Sequence, residues 1–177
     1  MMAPVFVDTN ILVYWRDSTN PEKQLRATEW LDFLWRERRG RTSTQVLSEF
    51  YSVVVRKKVS GISPEEAWRD VQAFSEWSPQ PVDVDLLARA YSVERRYALS
   101  WWDSLVVAGA QAQACALLLT EDLQDGADYG GVIVRNPFKL GIAEESGAYM
   151  VTPKIASRHR GRGRPRTRPQ RATTATS

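Results

Sequence analysis

Hydrophobic positions along the chain fall into two patterns, short unbroken apolar runs and longer stretches with helical spacing. Residues 3–7 are almost wholly apolar, as expected of a strand buried on both faces, and the run stops at Asp8-Thr9-Asn10. A first helical stretch covers 11–16. Asn20 followed by Pro21 then supplies an N-cap and a proline at the first helical position. Ala27, Leu31, Leu34 and Trp35 follow at helical spacing, and Gly40 is the stop. A second long helix begins near Ser43 or Thr44, presents Val46, Leu47, Phe50, Tyr51 and Val54, and runs to about Gly61. Ser63-Pro64-Glu65-Glu66 reads as a capping box, with Ile62 able to staple onto Ala67. The helix it opens buries Ala67, Trp68, Val71 and Phe74.

The second half repeats the alternation. Residues 81–84 read as a short strand and 86–97 as a helix. Ser100 caps a helix over 101–113, and 116–120 form a second buried strand that ends at Glu121-Asp122. Gly130-Gly131 turns the chain into a last strand at 132–134. Strands separated by helices imply an α/β protein whose central sheet is mostly parallel, with helices on both faces. No internal repeat is present.

Composition narrows the chemistry. The length of 177 residues suits one domain, and 43% apolar with 25% charged residues is ordinary for a globular core. The single cysteine, Cys115, excludes internal disulfides and cysteine-rich zinc sites. The single histidine, His159, lies in a basic stretch outside the patterned region. Catalysis must therefore rest on carboxylates, hydroxyls, Lys/Arg or a metal. The net charge of +3 conceals two regions: residues 154–177 carry +8 and no acid, which leaves −5 for residues 1–153. The expected organisation is a domain over 1–138 and an extension over 139–177, basic and disordered from about 154. No export signal or membrane span is evident, and a cytoplasmic protein is expected.

Ligands of open parallel sheets collect at the carboxyl ends of the strands. Asp8 directly follows the first strand, Asp122 follows the strand over 116–120, Asp103 lies in the first turn of the helix before that strand, and Glu49 is the odd charge on an apolar helix face. Four carboxylates in one crevice repel, and a hard divalent cation such as Mg²⁺ or Mn²⁺ removes the repulsion. Water activated beside such an ion attacks a phosphodiester without histidine. Each residue also has a plainer reading. Asp103 stands three residues after Ser100 and can complete a capping box; Asp8 can cap the following helix; Asp122 and Asp125 suit solvated turns; Glu49 can face water or a lysine.

Together, Val7-Asp8-Thr9-Asn10-Ile11-Leu12-Val13-Tyr14, Ser43-Thr44-Gln45-Val46-Leu47-Ser48-Glu49-Phe50, Trp101-Trp102-Asp103-Ser104-Leu105 and Leu119-Thr120-Glu121-Asp122-Leu123 resemble, in order and spacing, the PIN-domain ribonucleases. They most resemble the VapC toxins of bacterial toxin–antitoxin pairs. The resemblance spans about 3–138. It implies a three-layer α/β/α PIN-like fold and an endoribonuclease that uses Mg²⁺ or Mn²⁺ to cut single-stranded or looped RNA. On the matching positions, Asp8, Glu49, Asp103 and Asp122 correspond to the family's acids and Asp125 to a less uniform fifth. Thr9, Asn10, Ser104 and Thr120 would support them. The resemblance also implies a homodimer and a VapB-type antitoxin protein that holds the toxin inactive.

Of the seven tryptophans, Trp30, Trp35 and Trp68 suit core packing, whereas Trp15, Trp101 and Trp102 are candidates for groove walls. Arg56-Lys57-Lys58 and Arg95-Arg96 are basic clusters that could hold phosphates or simply face solvent. The extension after Phe138 departs from the family pattern; it is either an arm for RNA or without function. Two other classes compete. A catalytically silent PIN-like interaction module would use the acids for structure alone. An aspartate-nucleophile phosphohydrolase needs an acid two residues after its nucleophile, where this chain has Asn10.

Overall fold

A computed structural model describes residues 3–57 and 59–139. Strand β1 (Val5–Val7) leads through Asp8 into helix α1 (Thr9–Arg16), then α2 (Pro21–Arg36), strand β2 (Gly40–Arg41) and α3 (Thr44–Arg56). Helices α4 (Pro64–Phe74), α5 (Val84–Tyr97) and α6 (Trp101–Ala112) follow, then strands β3 (Leu117–Leu119) and β4 (Ile133–Arg135). The four strands form one all-parallel sheet in the order β2-β1-β3-β4. Register pairs Phe6 with Leu118, and Leu118 with Val134.

The apolar runs become strands because both of their faces are covered: Val5, Phe6, Val7, Leu117, Leu118 and Leu119 are all buried. On the Phe6 face the sheet meets α6, where a Cβ on Gly109 would come within 3.1 Å of the Phe6 ring. Helix α1 packs on α2 and α3, α3 on α4, and α5 on α6. Caps fall where the side chains can supply them. Asn20 accepts from Lys23 N, Ser43 from Val46 N and Asp83 from Leu86 N, while Ser63 and Glu66 form the reciprocal capping box. Arg16 on α1 forms a two-pronged ion pair with the buried Asp70 of α4.

Four details depart from the sequence reading. Residues 81–84 are not a strand. Only Gln80 bridges to Ser43, and Asp83 caps α5 at Val84, which leaves Val82 and Val84 exposed; no neighbouring strand was available to accept their alternation. The two-residue β2 occupies the place read as a helix stop, too short to show any periodicity. Helix α3 ends at Arg56 and a 3-10 turn spans Val59–Gly61. Trp68 is 53% exposed, edge-on to Tyr51 at 6.3 Å, because it lies on the outer side of α4 from Ala67 and Phe74. The extension beyond 139, with its expected disorder, lies outside the described residues.

Gly40 is where β2 passes the indole of Trp77. A Cβ there would stand 2.4 Å from the ring's Cε2, far inside contact distance. Gly40→Ala is expected to destabilise the domain by about 1–3 kcal/mol through overpacking, read as a lower denaturation midpoint with an unchanged m-value. An unaltered midpoint would show that Trp77 moves aside without cost.

Candidate metal centre

The order β2-β1-β3-β4 means that the chain leaves β1 toward one edge and later returns on the other side of it. The crevice of an open parallel sheet therefore lies at the carboxyl ends of β1 and β3. Asp8 and Asp122 are both delivered there. Asp8 adopts an extended backbone as the N-cap of α1, and its Oδ1 accepts from Thr9 N at 2.7 Å. The capping role and a place in the crevice therefore coexist in one residue.

Threonine and asparagine knit the two strand ends together. Thr120 Oγ1 donates to Asp8 Oδ2 at 2.7 Å and accepts from Asn10 Nδ2 at 3.0 Å and from Asp122 N at 3.1 Å. Asn10 Nδ2 also donates to Asp122 Oδ2 at 2.9 Å and, more weakly, to Asp8 Oδ2 at 3.4 Å. From the other side, Thr9 Oγ1 donates to Glu49 Oε2 at 3.1 Å. Gln45, one turn earlier on α3, donates through Nε2 to Glu49 Oε1 at 3.0 Å. The first turn of α1 thus clasps the acids of β1, β3 and α3.

Electrostatics agree with the geometry. Burial pushes the Asp8 carboxyl up to about 6 from its ordinary 3.8, despite hydrogen bonds from Thr120 and Thr9 that favour the charged form. The negative charges of Asp122 and Glu49 add to the upward push. Three of the expected acids therefore share one field.

Asp103 and Asp125 are placed differently. Ser100 Oγ donates to Asp103 Oδ2 at 2.6 Å and accepts from Asp103 N at 3.1 Å, so Asp103 completes the cap of its own helix. Its charge, after burial, helps raise the Tyr129 phenol. Asp125 Oδ1 accepts from Asn136 N at 2.9 Å and ties the loop after β3 to the end of β4. Ser104 Oγ is buried without a hydrogen-bond partner among the described residues.

The donor set is all oxygen, the chemistry that hard divalent ions require. Asn10 Oδ1 and Gln45 Oε1, on the two amides that hold Asp122 and Glu49, are buried acceptors with no donor among the described residues. Among those residues no three Asp, Glu, His or Cys side chains stand close enough to ligate one ion directly. The fit is to an ion such as Mg²⁺, which keeps several waters and takes few carboxylates.

Sequence reading missed Gln45, although its i, i+4 spacing to Glu49 on an apolar helix face was visible. It also missed the clamp beside the site, where Lys23 pairs with Glu121 and lies 4.1 Å over the Tyr14 ring. Trp15 lines no part of this clasp. Its ring packs edge-on against Phe74 at 5.6 Å, with the Arg16 guanidinium 4.4 Å above it. Trp101 packs against the core, and Trp102 is 62% exposed. Arg56 and Lys57 are exposed at the end of α3; Lys58 is outside the described residues. A separate groove of about 850 Å³ opens where β3 and β4 begin, lined by Arg89, Arg96, Tyr97, Gln111 and Cys115, away from the acids. Burial pushes the Cys115 thiol there up to about 12, so it is inert.

The PIN-domain family model matches residues 5–124, a span that includes Asp8, Glu49, Asp103 and Asp122. Among solved structures, the chain is similar to a toxin–antitoxin complex from Klebsiella pneumoniae at 22% identity and a TM-score of 0.53, covering 76% of this chain and 98% of that one. It is also similar to VapC20 of Mycobacterium tuberculosis, a sarcin-ricin loop cleaving toxin, at 19% identity and a TM-score of 0.48, covering 64% and 86%. Curated protein sequences give no significant match. The family match runs over the strands and loops that carry the acid crevice, and it shows that this chain belongs to the PIN-domain family.

Proposed function

We propose that the chain is a Mg²⁺- or Mn²⁺-dependent endoribonuclease that acts as the toxin of a bacterial two-component pair. The observation that carries this reading is the clasp of Asp8, Glu49 and Asp122 at the strand-order switch, where like charges crowd a buried carboxyl. These three residues would hold the ion in part through its bound waters, with Asp103 completing the set from the first turn of α6 and Asp125 as a weaker fifth. When bound, the ion would neutralise phosphodiester charge and acidify an attacking water.

The chain's own residues do the rest. Thr120 and Asn10 fix Asp8 and Asp122 in one orientation, and Thr9 and Gln45 fix both oxygens of Glu49, so the acids need no rearrangement when charge develops. Asn10 is committed to Asp122, which leaves a phosphohydrolase mechanism without its proton donor. The exposed Trp102, next to Asp103, offers a face on which an unstacked base can lie.

The Klebsiella neighbour is a toxin–antitoxin complex, and this supports a VapB-type antitoxin as partner; a homodimer and a cytoplasmic setting belong to the same reading. No helix among the described residues is long and apolar enough to cross a membrane. A silent interaction module is the second reading, favoured by the engagement of Asp103 with Ser100.

Incubation of the purified chain with structured RNA separates the two. Cleavage is expected in Mn²⁺ or Mg²⁺ and is abolished by EDTA. Asp8→Asn, Glu49→Gln and Asp122→Asn are each expected to lower the rate at least about 100-fold while circular dichroism stays unchanged. Metal-independent cleavage, or full activity in all three variants, would sink the nuclease mechanism.

A second expectation concerns the metal-free protein. Because the folded-state pKa of Asp8 is raised to about 6, its contribution is most favourable below pH 4 and is lost as pH rises through 6. Asp8→Asn keeps the cap without the charge. At pH 7 in EDTA it is expected to be more stable than the wild type, by up to about 3 kcal/mol, and at pH 4 the difference should vanish. A stability difference that does not change with pH would contradict the penalty that burial, with the neighbouring charges, places on the Asp8 carboxylate.

A further inference from the structure

Two side-chain amides serve the acid crevice, and each is only half used. Asn10 Nδ2 donates to Asp122 Oδ2 at 2.9 Å and to Thr120 Oγ1 at 3.0 Å, and Gln45 Nε2 donates to Glu49 Oε1 at 3.0 Å. An ionised carboxylate only accepts, so the N–H end of each amide must face its acid and the carbonyl oxygen must take the other position. Neither amide can turn over without setting oxygen against oxygen. Asn10 Oδ1 and Gln45 Oε1 are both buried, and neither has a donor among the described residues. The whole Gln45 side chain is withdrawn from solvent, with the residue 9% exposed. A buried polar network left half satisfied is costlier than an apolar one, so these two oxygens call for a donor that enters from outside the chain.

The acids define what that donor is. Among the described residues no three Asp, Glu, His or Cys side chains stand close enough to ligate one ion. Their oxygens are also engaged: Asp8 Oδ1 accepts from Thr9 N and Oδ2 from Thr120, while Glu49 accepts from Gln45 on one oxygen and from Thr9 on the other. A small hard cation entering such a site keeps most of its octahedral shell of water, and every water in that shell carries O–H donors that need acceptors. The two vacant carbonyl oxygens stand where they are needed, one on α1 beside Asp122 and one on α3 beside Glu49.

We propose that Gln45 and Asn10 are positioning residues for a hydrated divalent cation. Each fixes an acid through its N–H end and accepts from a water of the ion's shell through its carbonyl oxygen. This rests on the metal part of the nuclease reading and is independent of which RNA is cut. It gives the glutamine one turn before Glu49 a role that a brace for the carboxylate does not need, and it makes the site one that grips the ion largely through water.

Cobalt(III) hexammine tests this directly. Its ammines do not exchange, so it reaches a protein only through N–H donors, as a hydrated ion does through O–H donors. With the full chain and no RNA, it should displace bound Mn²⁺, seen as growth of the free-ion resonance signal. In a sample free of Mn²⁺, its ammine protons should give intermolecular NOEs to the side-chain amides of Gln45 and Asn10, which a residue that merely braces Glu49 would not show. Gln45→Met keeps the length and removes both polar atoms; it should weaken hexammine binding by about 10-fold or more with circular dichroism unchanged.

Failure of hexammine to displace Mn²⁺, equal hexammine affinity in Gln45→Met, or NOEs confined to other surfaces would each overturn the proposal. If Gln45→Met does not fold, displacement and NOEs in the wild type decide the matter alone. A wild-type chain that binds no Mn²⁺ would remove the proposal together with the metal-dependent reading. Displacement and NOEs in a chain that cleaves no RNA would leave the hydrated-ion site standing and remove the nuclease. Cleavage in Mg²⁺ by a chain that ignores hexammine would do the reverse.

Discussion

Thr120 and Asn10 hold two carboxylates that would otherwise drive each other apart, and the site depends on this bridge. One hydroxyl donates to Asp8 and takes hydrogen bonds from Asn10 and the Asp122 backbone, which fixes the relative position of the β1 and β3 termini. Without these contacts the buried Asp8 would meet Asp122 and Glu49 with only the Thr9 backbone N–H to compensate its charge. Burial raises the Asp8 carboxyl, and the nearby charges of Asp122 and Glu49 add to that rise. The fold supplies the rest. Parallel pairing of β1 with β3 places both carboxyl ends at one level, and the immediate start of α1 brings Thr9 across to Glu49 on α3.

Much of this was legible in the chain. The buried strands β1 and β3 announced themselves as unbroken apolar runs, and the acids that follow them were visible as candidates for both capping and the crevice, roles that Asp8 combines. Glu49 stood out as a charge on an apolar helix face. Asp103 was ambiguous in the sequence for a physical reason that the structure displays, since a residue three after a capping serine can serve the cap and a site with the same side chain. What stayed hidden depended on neighbours distant in sequence. Strand β2 has two residues and no period, and the alternation around Val82 and Val84 found no sheet to join. Trp15 was near a motif in sequence, but its ring turns toward Phe74.

Direct measurement of Mn²⁺ binding probes the central claim most closely, through the paramagnetic resonance signal of the free ion in titrations of wild type and of Asp8→Asn. Saturable binding at a fixed number of sites per wild-type chain, lost or weakened at least about 10-fold in Asp8→Asn, is the predicted result. Equal binding by both proteins, or none by the wild type at millimolar Mn²⁺, would contradict the account.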